Sequence, residues 1–167
     1  MIGNLTAYYD SPLGVLEING SEDGVISVLF VERAAPTTAI PGCLRDCVNQ
    51  LDEYFTGRRK TFVLKLDARG TEFQKRVWHE LAKIAFGKTV SYRDVARAIG
   101  SSQAVRAVGS ANGQNPISII IPCHRVIGSD GTLTGYGGGL WRKEWLLNFE
   151  KGLPQPNLFQ SALAMAK

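Results

Sequence analysis

One short segment of the sequence has the residue types of a nucleophilic site. Cys123, His124 and Arg125 follow four isoleucines and Pro122, a pattern that predicts a cysteine at the end of a buried, extended apolar element. The thiolate is the nucleophilic form of cysteine, and a neighbouring histidine or arginine stabilises it. A second interpretation stays open, because free cysteines are often small core residues and adjacent side chains of an extended chain point to opposite faces.

The other two cysteines, Cys43 and Cys47, lie four residues apart inside an amphipathic helical pattern. We interpret them as core or helix-surface residues, because the second histidine, His79, is not spaced from them as a metal ligand would be. We therefore expect neither a metal site nor a cofactor. Three cysteines cannot form a disulfide framework and leave at least one thiol free, which favours a reducing, cytoplasmic location.

Residues 91–112 predict two short helices around a turn. Ser91 is a typical N-cap, Gly100 ends the first helix, and small apolar residues over about 103–111 form the second. These small residues allow the backbone to approach a partner closely, and Arg106 is the one long cation among them. A helix-turn-helix unit that binds DNA is one interpretation, and a plain helical hairpin with a solvated arginine is the other.

The charge of the chain is unevenly distributed. The formal net charge is +4, but residues 1–69 hold 7 basic and 9 acidic side chains, whereas residues 70–151 hold 11 basic and 6 acidic ones. A basic second half favours binding to nucleic acid or another polyanion, with a solvated charged surface as the alternative. No stretch approaches the roughly 18 apolar residues of a membrane helix, and the N-terminus lacks a secretory signal pattern, so we expect no membrane partner.

The elements that must position these residues differ between the two halves of the chain. The first half has β-branched and aromatic runs between turn residues, which predict an antiparallel sheet, and one amphipathic helical pattern. After Gly70 the pattern becomes helical, and Thr71 with Gln74 predicts a capping box at the start of a helix that continues to Gly87. The elements predicted in the first half are strands at 5–10, 15–18, 25–30 and 61–66 and a helix at 44–55.

These patterns divide the chain into three parts. We expect an N-terminal α/β domain over residues 1–68, a C-terminal domain for DNA binding and chemistry over residues 69–152, and a loosely attached tail over residues 153–167. The predicted fold class is therefore α+β.

The segment from Pro122 to Ile127 resembles the active-site motif of the O6-alkylguanine-DNA alkyltransferases, also called methylated-DNA–protein-cysteine methyltransferases. The resemblance is strong over residues 71–152 and weaker over the first domain. It implies an RNase H-like first domain and a mostly helical, winged-helix-like second domain with a helix-turn-helix. The motifs that match in order are Ser91-Tyr92, Arg106-Ala107-Val108-Gly109, Asn115-Pro116, the segment from Gly135 to Leu140, Arg142-Lys143, and Leu146-Leu147 through Glu150.

The resemblance implies a catalytic role for five residues. Cys123 takes the alkyl group from guanine O6 irreversibly, so that each molecule reacts once. His124 acts as a base through a water molecule, and Glu150 orients that histidine. Asn115 ties together the segment before the cysteine, and Tyr92 helps to protonate the departing guanine.

The resemblance also implies how the substrate is held. The partner is double-stranded DNA that contains alkylated guanine, with O4-alkylthymine as a further possible substrate, and Arg106 fills the space left by the flipped nucleotide. The protein is expected to be a monomer, with cooperative binding on DNA left open. Gly137 departs from the serine of some relatives, so that a hydrogen bond to the base is lost. The other DNA-binding positions implied are Arg125, Tyr92, Ser91, Ala104, Ala107 and Gly109, and the substrate pocket is formed by Val126, Tyr136 and Gly137.

Two rival functions follow from the same residues. A helix-turn-helix regulator would bind DNA without chemistry, and its affinity would survive the substitution Cys123→Ala. A cysteine hydrolase would use the same thiolate but turn over repeatedly. The intact mass of the protein after incubation with a methylated-guanine oligonucleotide distinguishes these functions from a single alkyl transfer.

Overall fold

The chain divides into two compact units in the computed structural model, which describes residues 3–32 and 39–154. The first unit holds residues 1–71 and 116–120, and the second holds residues 72–115 and 121–167. The short return of residues 116–120 to the first unit is a feature that the sequence pattern did not indicate. Most of the predicted tail, residues 155–167, lies outside the described residues.

The first unit is an antiparallel sheet with one helix, as predicted. Strands β1 (Leu5–Ser11), β2 (Gly14–Ser21) and β3 (Gly24–Val31) pair in the order β1-β2-β3, and helix α1 (Arg45–Phe55) follows a 3-10 turn. The β1–β2 hairpin closes with Ser11 opposite Gly14, whose φ of 114° favours glycine. Alternate residues of the strands and one face of α1 supply the core, which includes Leu16, Ile18, Val28, Leu44, Leu51 and Tyr54.

The prediction of a strand over residues 61–66 is wrong. Within this segment only Leu66 pairs with the sheet, in a single parallel bridge to Val25. The side-chain amide of Gln50 instead holds both backbone groups of Val63, donating to its carbonyl and accepting from its N–H at 2.9 Å each. Because a side chain satisfies these backbone groups, the segment needs no neighbouring strand.

The second unit is mostly helical and contains the predicted helix-turn-helix. The helix that opens this unit ends at Leu81, six residues before the predicted end at Gly87. The second helix of the helix-turn-helix starts at Val105, because residues 101–104 form a turn that is closed by a backbone hydrogen bond of 2.8 Å. Ser91 caps the helix that follows it in a capping box with Asp94, as expected of an N-cap serine. The elements are α2 (Glu72–Leu81), β4 (Val90–Ser91), α3 (Tyr92–Ala98), α4 (Val105–Gly113), β5 (Val126–Ile127) and α5 (Leu140–Glu150).

A two-residue parallel pairing brings the parts of the site together. Val90 lies opposite Val126 and Ser91 lies opposite Ile127, so the start of α3 is fixed beside the segment that carries the cysteine. Trp78 on α2 packs in the core and donates its indole N–H to the carbonyl of Ala111 on α4 at 2.8 Å.

In the part of the chain that the structure describes, no helix is long and apolar enough to cross a membrane.

The isoleucine run before the cysteine is a turn, not the extended element that the sequence predicted. Ser118, Ile119 and Ile120 form the turn, and Ile119 has a φ of 71°. This left-handed conformation is strained for a β-branched residue, and complete burial of the side chain keeps it in place. Cys123 consequently begins a 3-10 turn, Cys123–Arg125, that runs directly into β5.

Candidate active site

Cys123 is a buried thiol that belongs to the second unit. The residue is 5% exposed, and its own N–H donates to the carbonyl of Ile121 at 2.8 Å. Burial raises the pKa of the thiol, while a hydrogen bond from the Asn115 side chain and the charge of Lys143 act in the opposite direction. The resting form is therefore the neutral thiol, and the thiolate must be produced for reaction.

Asn115 holds the chain on the N-terminal side of the cysteine. Its side-chain amide donates to the carbonyl of Ile121 at 2.8 Å, and it also bonds to Cys123. The residue is 7% exposed, so these bonds form away from bulk water. Asn115 is thereby bonded to the segment that precedes the cysteine, and the catalytic role that the resemblance implies for it stays a prediction.

His124 and Glu150 form a buried pair. The Nε2 of His124 lies 2.7 Å from Oε1 of Glu150, and both side chains are almost completely inaccessible. Burial lowers the pKa of His124, although Glu150 acts to raise it, so we assign a neutral imidazole that donates its Nε2–H to the carboxylate. The other nitrogen, Nδ1, is buried and has no hydrogen-bond partner among the described residues, which leaves its lone pair able to accept a proton.

The Glu150 carboxylate receives more donors than the sequence indicated. Arg125 donates its Nε to Oε2 and its Nη2 to Oε1, each at 2.9 Å, and the backbone N–H of Gly87 donates to Oε2 at 3.1 Å. Burial alone raises the pKa of this carboxyl, but the bonds and charges of His124 and Arg125 hold it far below its ordinary value. Glu150 is therefore a fixed anion that orients His124.

The prediction that Arg125 binds DNA is corrected by its position. The residue is 5% exposed, and its guanidinium pairs with Glu150, donates to the Ile84 carbonyl at 2.5 Å and lies over the Phe86 ring. A guanidinium that is buried and paired in this way is not available to phosphates. Val126, predicted to line the substrate pocket, is fully buried in β5.

Gly87 is a member of the site that no sequence motif indicates. The helical pattern predicts only that Gly87 ends a helix, yet its N–H donates to Glu150 and its φ is +75°. A Cβ at this position would lie 3.1 Å from the backbone oxygen of Glu150. No local pattern could reveal this contact, because 63 residues separate the two partners.

We expect Gly87→Ala to destabilise the protein and to slow alkyl transfer. Gly100→Ala is the matched control, since Gly100 has a similar φ of +72° but nothing within 4 Å of an added Cβ. The strained backbone costs about 1–2 kcal/mol in either variant, and the contact with Glu150 adds to that cost only at Gly87. Urea unfolding and single-turnover rates measure the two effects. Equal destabilisation and equal rates in the two variants would contradict this role for Gly87.

A cleft of about 380 Å³ lies on the helix-turn-helix side of the site. Asn112 lines this cleft and donates to the carbonyl of Cys123 at 3.4 Å, which connects the cleft to the backbone of that residue. This volume is in the range of sites that bind small molecules. The residues that line the cleft are Tyr92 from α3, Val105, Gly109, Asn112 and Gly113 from α4, and Thr134, Gly135 and Tyr136 from the following loop.

The structure brings only some of the expected pocket residues to this cleft. Of the three predicted pocket residues, Tyr136 lines it, whereas Val126 and Gly137 do not. Tyr92 and Gly109, which were predicted to contact DNA, also line it. The Tyr92 hydroxyl donates to the carbonyl of Thr134 at 2.8 Å, so the phenol already points along the cleft wall. A Cβ at Gly137 would meet nothing within 4 Å, so the loop has room for the serine of other relatives.

The remaining DNA-binding candidates lie on α4 and at the starts of α3 and α4. Arg106 and Ala107 are exposed and Ala104 is half-buried, while the Ser91 hydroxyl is engaged by Asp94 in the capping box. Among the described residues, Arg106 makes no hydrogen bond or ion pair, so its guanidinium is available to a partner. A long cation on a face of small residues suits a close approach to nucleic acid.

Fold and site together define a class of protein: a helix-turn-helix protein with a buried cysteine whose carbonyl is joined through Asn112 to a cleft of about 380 Å³. Two family models match the chain. Residues 4–68 match "6-O-methylguanine DNA methyltransferase, ribonuclease-like domain", and residues 72–152 match "6-O-methylguanine DNA methyltransferase, DNA binding domain".

Similar proteins extend over most of the chain. The methylated-DNA–protein-cysteine methyltransferases of Mycobacterium bovis and Methanosarcina barkeri are 48% and 46% identical to it, over 85% and 86% of this chain and 89% and 97% of theirs. The crystal structure of Mycobacterium tuberculosis OGT in complex with DNA matches with a TM-score of 0.79 and 47% identity, over 89% of this chain and 95% of that one. The chain belongs to the methylated-DNA–protein-cysteine methyltransferase family.

The family also confirms the predicted fold class. The first unit corresponds to the ribonuclease-like domain, with its antiparallel sheet and helix, and the second to the DNA-binding domain, with its helix-turn-helix. DNA is therefore a partner of this protein.

Proposed function

We propose that this protein repairs O6-alkylguanine in double-stranded DNA by transferring the alkyl group irreversibly to Cys123. One observation carries the proposal: the buried Cys123 adjoins the His124–Glu150 pair and is connected through Asn112 to the cleft. The predicted monomeric state stays a prediction. The cytoplasmic location stays a prediction.

The first step of the proposed mechanism is removal of the thiol proton. The proton passes from Cys123 through one water molecule to Nδ1 of His124, whose Nε2–H is held by Glu150. The imidazolium that results is stabilised by the fixed carboxylate beside it. Because Glu150 is anionic in the resting protein, no rearrangement is needed to receive this charge.

The second step is displacement at the alkyl carbon. The sulfur forms a bond to that carbon while the carbon–O6 bond breaks, and the electron pair stays with the guanine. Tyr92, in the wall of the cleft, donates its hydroxyl proton to the guanine ring, which neutralises the leaving group. One bond forms and one breaks without a change of oxidation state, so the chemistry requires neither a redox cofactor nor an activated donor. The product is an S-alkylcysteine that ends the activity of that molecule.

The test of this proposal is the intact mass of the protein after reaction with a duplex that contains O6-methylguanine. We expect each protein molecule to gain one methyl group, with loss of one O6-methylguanine per protein molecule and no further turnover. An unchanged mass with DNA still bound would support the regulator instead. Repeated loss of the modified base without a mass gain would support a hydrolase.

The alkylated base must be flipped out of the duplex before Cys123 can reach it. We propose that Arg106 then fills the space that the flipped base leaves in the stack. Arg106→Ala should slow transfer from duplex DNA by roughly 10–10³-fold, because unstacking costs a few kcal/mol. Transfer from free O6-benzylguanine, which needs no flipping, should be nearly unchanged. Single-turnover rates with protein in excess over saturating DNA measure both reactions.

Arg93→Ala is the matched control for this experiment, because Arg93 is an exposed cation on α3. We expect this variant to bind DNA more weakly and to reduce the slope of log K against log[salt] by about one unit, as for the loss of one phosphate contact. The rate of alkyl transfer should be nearly normal once DNA is saturating. Equal slowing of Arg106→Ala on the duplex and on the free base would mean that Arg106 supports the pocket or the fold. The flipping role would then be withdrawn.

A further inference from the structure

One wall of the cleft comes from a loop that is rich in glycine, and we call residues 134–139 the cleft loop. Gly135 and Tyr136 line the cleft, and four of the five residues 135–139 are glycines. Glycine loses more conformational freedom on folding than any other residue, so this composition does not fix the shape of the loop. Among the described residues, nothing lies within 4 Å of a Cβ added at Gly135 or Gly137. The position of the wall therefore depends on a few specific contacts.

One of these contacts comes from Arg142 in the first turn of α5. Its Nη1 donates to the carbonyl of Gly138 at 2.6 Å. The next residue, Gly139, donates its N–H to the carbonyl of Tyr136 at 2.9 Å, which closes a turn around Gly138. The guanidinium is therefore joined to the cleft wall through one turn of backbone.

Trp141 supports the guanidinium of Arg142. The guanidinium carbon lies 4.4 Å from the centre of the indole ring, within the range of a cation–π contact. The same indole lies against Gly139, because a Cβ added there would be 3.3 Å from two of its ring atoms. Gly139 is the N-cap of α5, so Trp141 and Arg142 hold the junction between the cleft loop and the helix. We call these two residues the loop anchor.

The first turn of α5 carries charges that are unfavourable at the start of a helix. The partial positive charge of a helix N-terminus favours Asp and Glu, but this turn has no acidic residue and contains Arg142 and Lys143. Both cations donate instead to carbonyls of the cleft loop: Arg142 to Gly138, and Lys143 to Thr134 and Gly135. A local preference is violated here in favour of contacts with the loop, which is typical of functional sites.

We propose that the loop anchor determines the size of the alkyl group that the protein transfers. Trp141 and Arg142 do not line the cleft, so both are positioning residues that act through the turn at Gly138 on Tyr136. A fixed wall favours a small alkyl group, whereas a bulky one such as benzyl reacts only after the wall moves outward and the bond to Gly138 breaks. This inference rests on the proposed function, because it concerns the group bound to guanine O6.

The test compares two duplexes that carry O6-methylguanine or O6-benzylguanine at the same position. Single-turnover rates are measured with protein in excess over saturating DNA, so that differences in DNA affinity do not contribute. Trp141→Ala and Arg142→Met remove the anchor, while Trp141→Phe keeps an aromatic ring and Arg142→Lys keeps the charge. Lys151→Met is the control, because it removes an exposed cation at the opposite end of α5.

We expect Trp141→Ala and Arg142→Met to raise the ratio of the benzyl rate to the methyl rate by about tenfold, the effect of one hydrogen bond to a charged group. Methyl transfer should slow, because a loose wall no longer holds the base in the reactive position. Benzyl transfer should be unchanged or faster, because the wall moves outward more easily. Trp141→Phe and the control should keep the wild-type ratio. Arg142→Lys should give an intermediate ratio, because lysine lacks the planar group that stacks on the indole.

Proteolysis measures the loop itself without alkyl transfer. Chymotrypsin cleaves after aromatic residues, and Tyr136 lies in the cleft loop. We expect cleavage after Tyr136, located by mass spectrometry, to be about tenfold faster in Trp141→Ala and Arg142→Met, since the same hydrogen bond must open. The free energy of unfolding from urea denaturation is compared in parallel, because local opening and global unfolding both expose a cleavage site.

Two results would overturn the proposal. One is an unchanged ratio of benzyl to methyl rates in a folded variant without the anchor, whether the two rates stay the same or fall together. The other is unchanged cleavage after Tyr136 in that variant, which would show that the anchor does not hold the loop. Trp141→Ala and Arg142→Met are both made so that one folded variant suffices. A wild type that transfers neither group from DNA would instead contradict the proposed function, and the cleavage rates would still test the anchor.

Discussion

Replacement of Cys123 by serine is expected to abolish alkyl transfer while DNA binding is retained. A serine hydroxyl is a much weaker nucleophile than a thiolate, and a nucleophile that acts together with a base typically contributes several orders of magnitude to the rate. We expect the single-turnover rate to fall by at least about 10⁴-fold. The intact mass should therefore show no detectable gain of a methyl group. The substitution replaces one small buried atom, so the free energy of unfolding should change little.

Cys43→Ser is the control for the cysteine experiment, because Cys43 is the half-buried thiol of the first unit. It should accept one methyl group at the wild-type rate. Peptide mapping of the methylated wild type should locate the label on Cys123 alone. A label on Cys43 or Cys47, or loss of more than one O6-methylguanine per protein molecule, would contradict the assignment of Cys123.

The second large effect concerns the His124–Glu150 pair. His124→Ala and Glu150→Gln should each slow transfer by about 10²–10⁴-fold, the usual contribution of a positioned general base. The double variant should be little slower than either single one, because both residues serve the same proton transfer. Single-turnover rates at saturating DNA give the comparison, and DNA affinity should change little. Losses that multiply in the double variant would show that the two residues act independently.

Stability should distinguish the two members of the pair. Glu150 also holds the buried guanidinium of Arg125, so Glu150→Ala leaves an unpaired buried cation and should lower the free energy of unfolding by about 3–5 kcal/mol. His124→Ala leaves the Glu150–Arg125 ion pair intact and should cost less. Glu144→Gln on the same helix is the control, since none of the site contacts involves it. Chemical denaturation measures all three variants.

Much of the site could be predicted from the sequence because its members occur in ordered local motifs. Cys123 and His124 are adjacent, whereas Asn115 and Glu150 were assigned only through the resemblance to the family, whose motifs place them before and after the cysteine. The chemistry of a thiol beside a histidine, and the helical periodicity on either side of Gly100, are properties of neighbouring residues. Such local properties need no knowledge of the fold. The antiparallel sheet and the helix-turn-helix were predicted for the same reason.

The environment of each cation was decided by tertiary structure alone. Arg106, Arg125 and Lys143 have similar positive charges in the sequence, yet the first is exposed on α4, the second is buried against Glu150 and the third is buried beneath the cleft. Burial depends on packing between residues that are distant along the chain, as in the Arg125–Glu150 pair separated by 25 positions. A sequence pattern contains no measure of that packing, so it could not tell a DNA contact from a structural ion pair.

Backbone conformation before the nucleophile was decided in the same way. Four isoleucines predict an extended strand, but one of them, Ile119, adopts a left-handed conformation in a turn, which local preference disfavours. The strand predicted over residues 61–66 is likewise replaced by a segment whose backbone bonds to the side chain of Gln50. Local propensities amount to a few tenths to about 1 kcal/mol per residue. Complete burial of a large apolar side chain and satisfaction of backbone groups are worth more, so tertiary contacts determine the conformation at these positions.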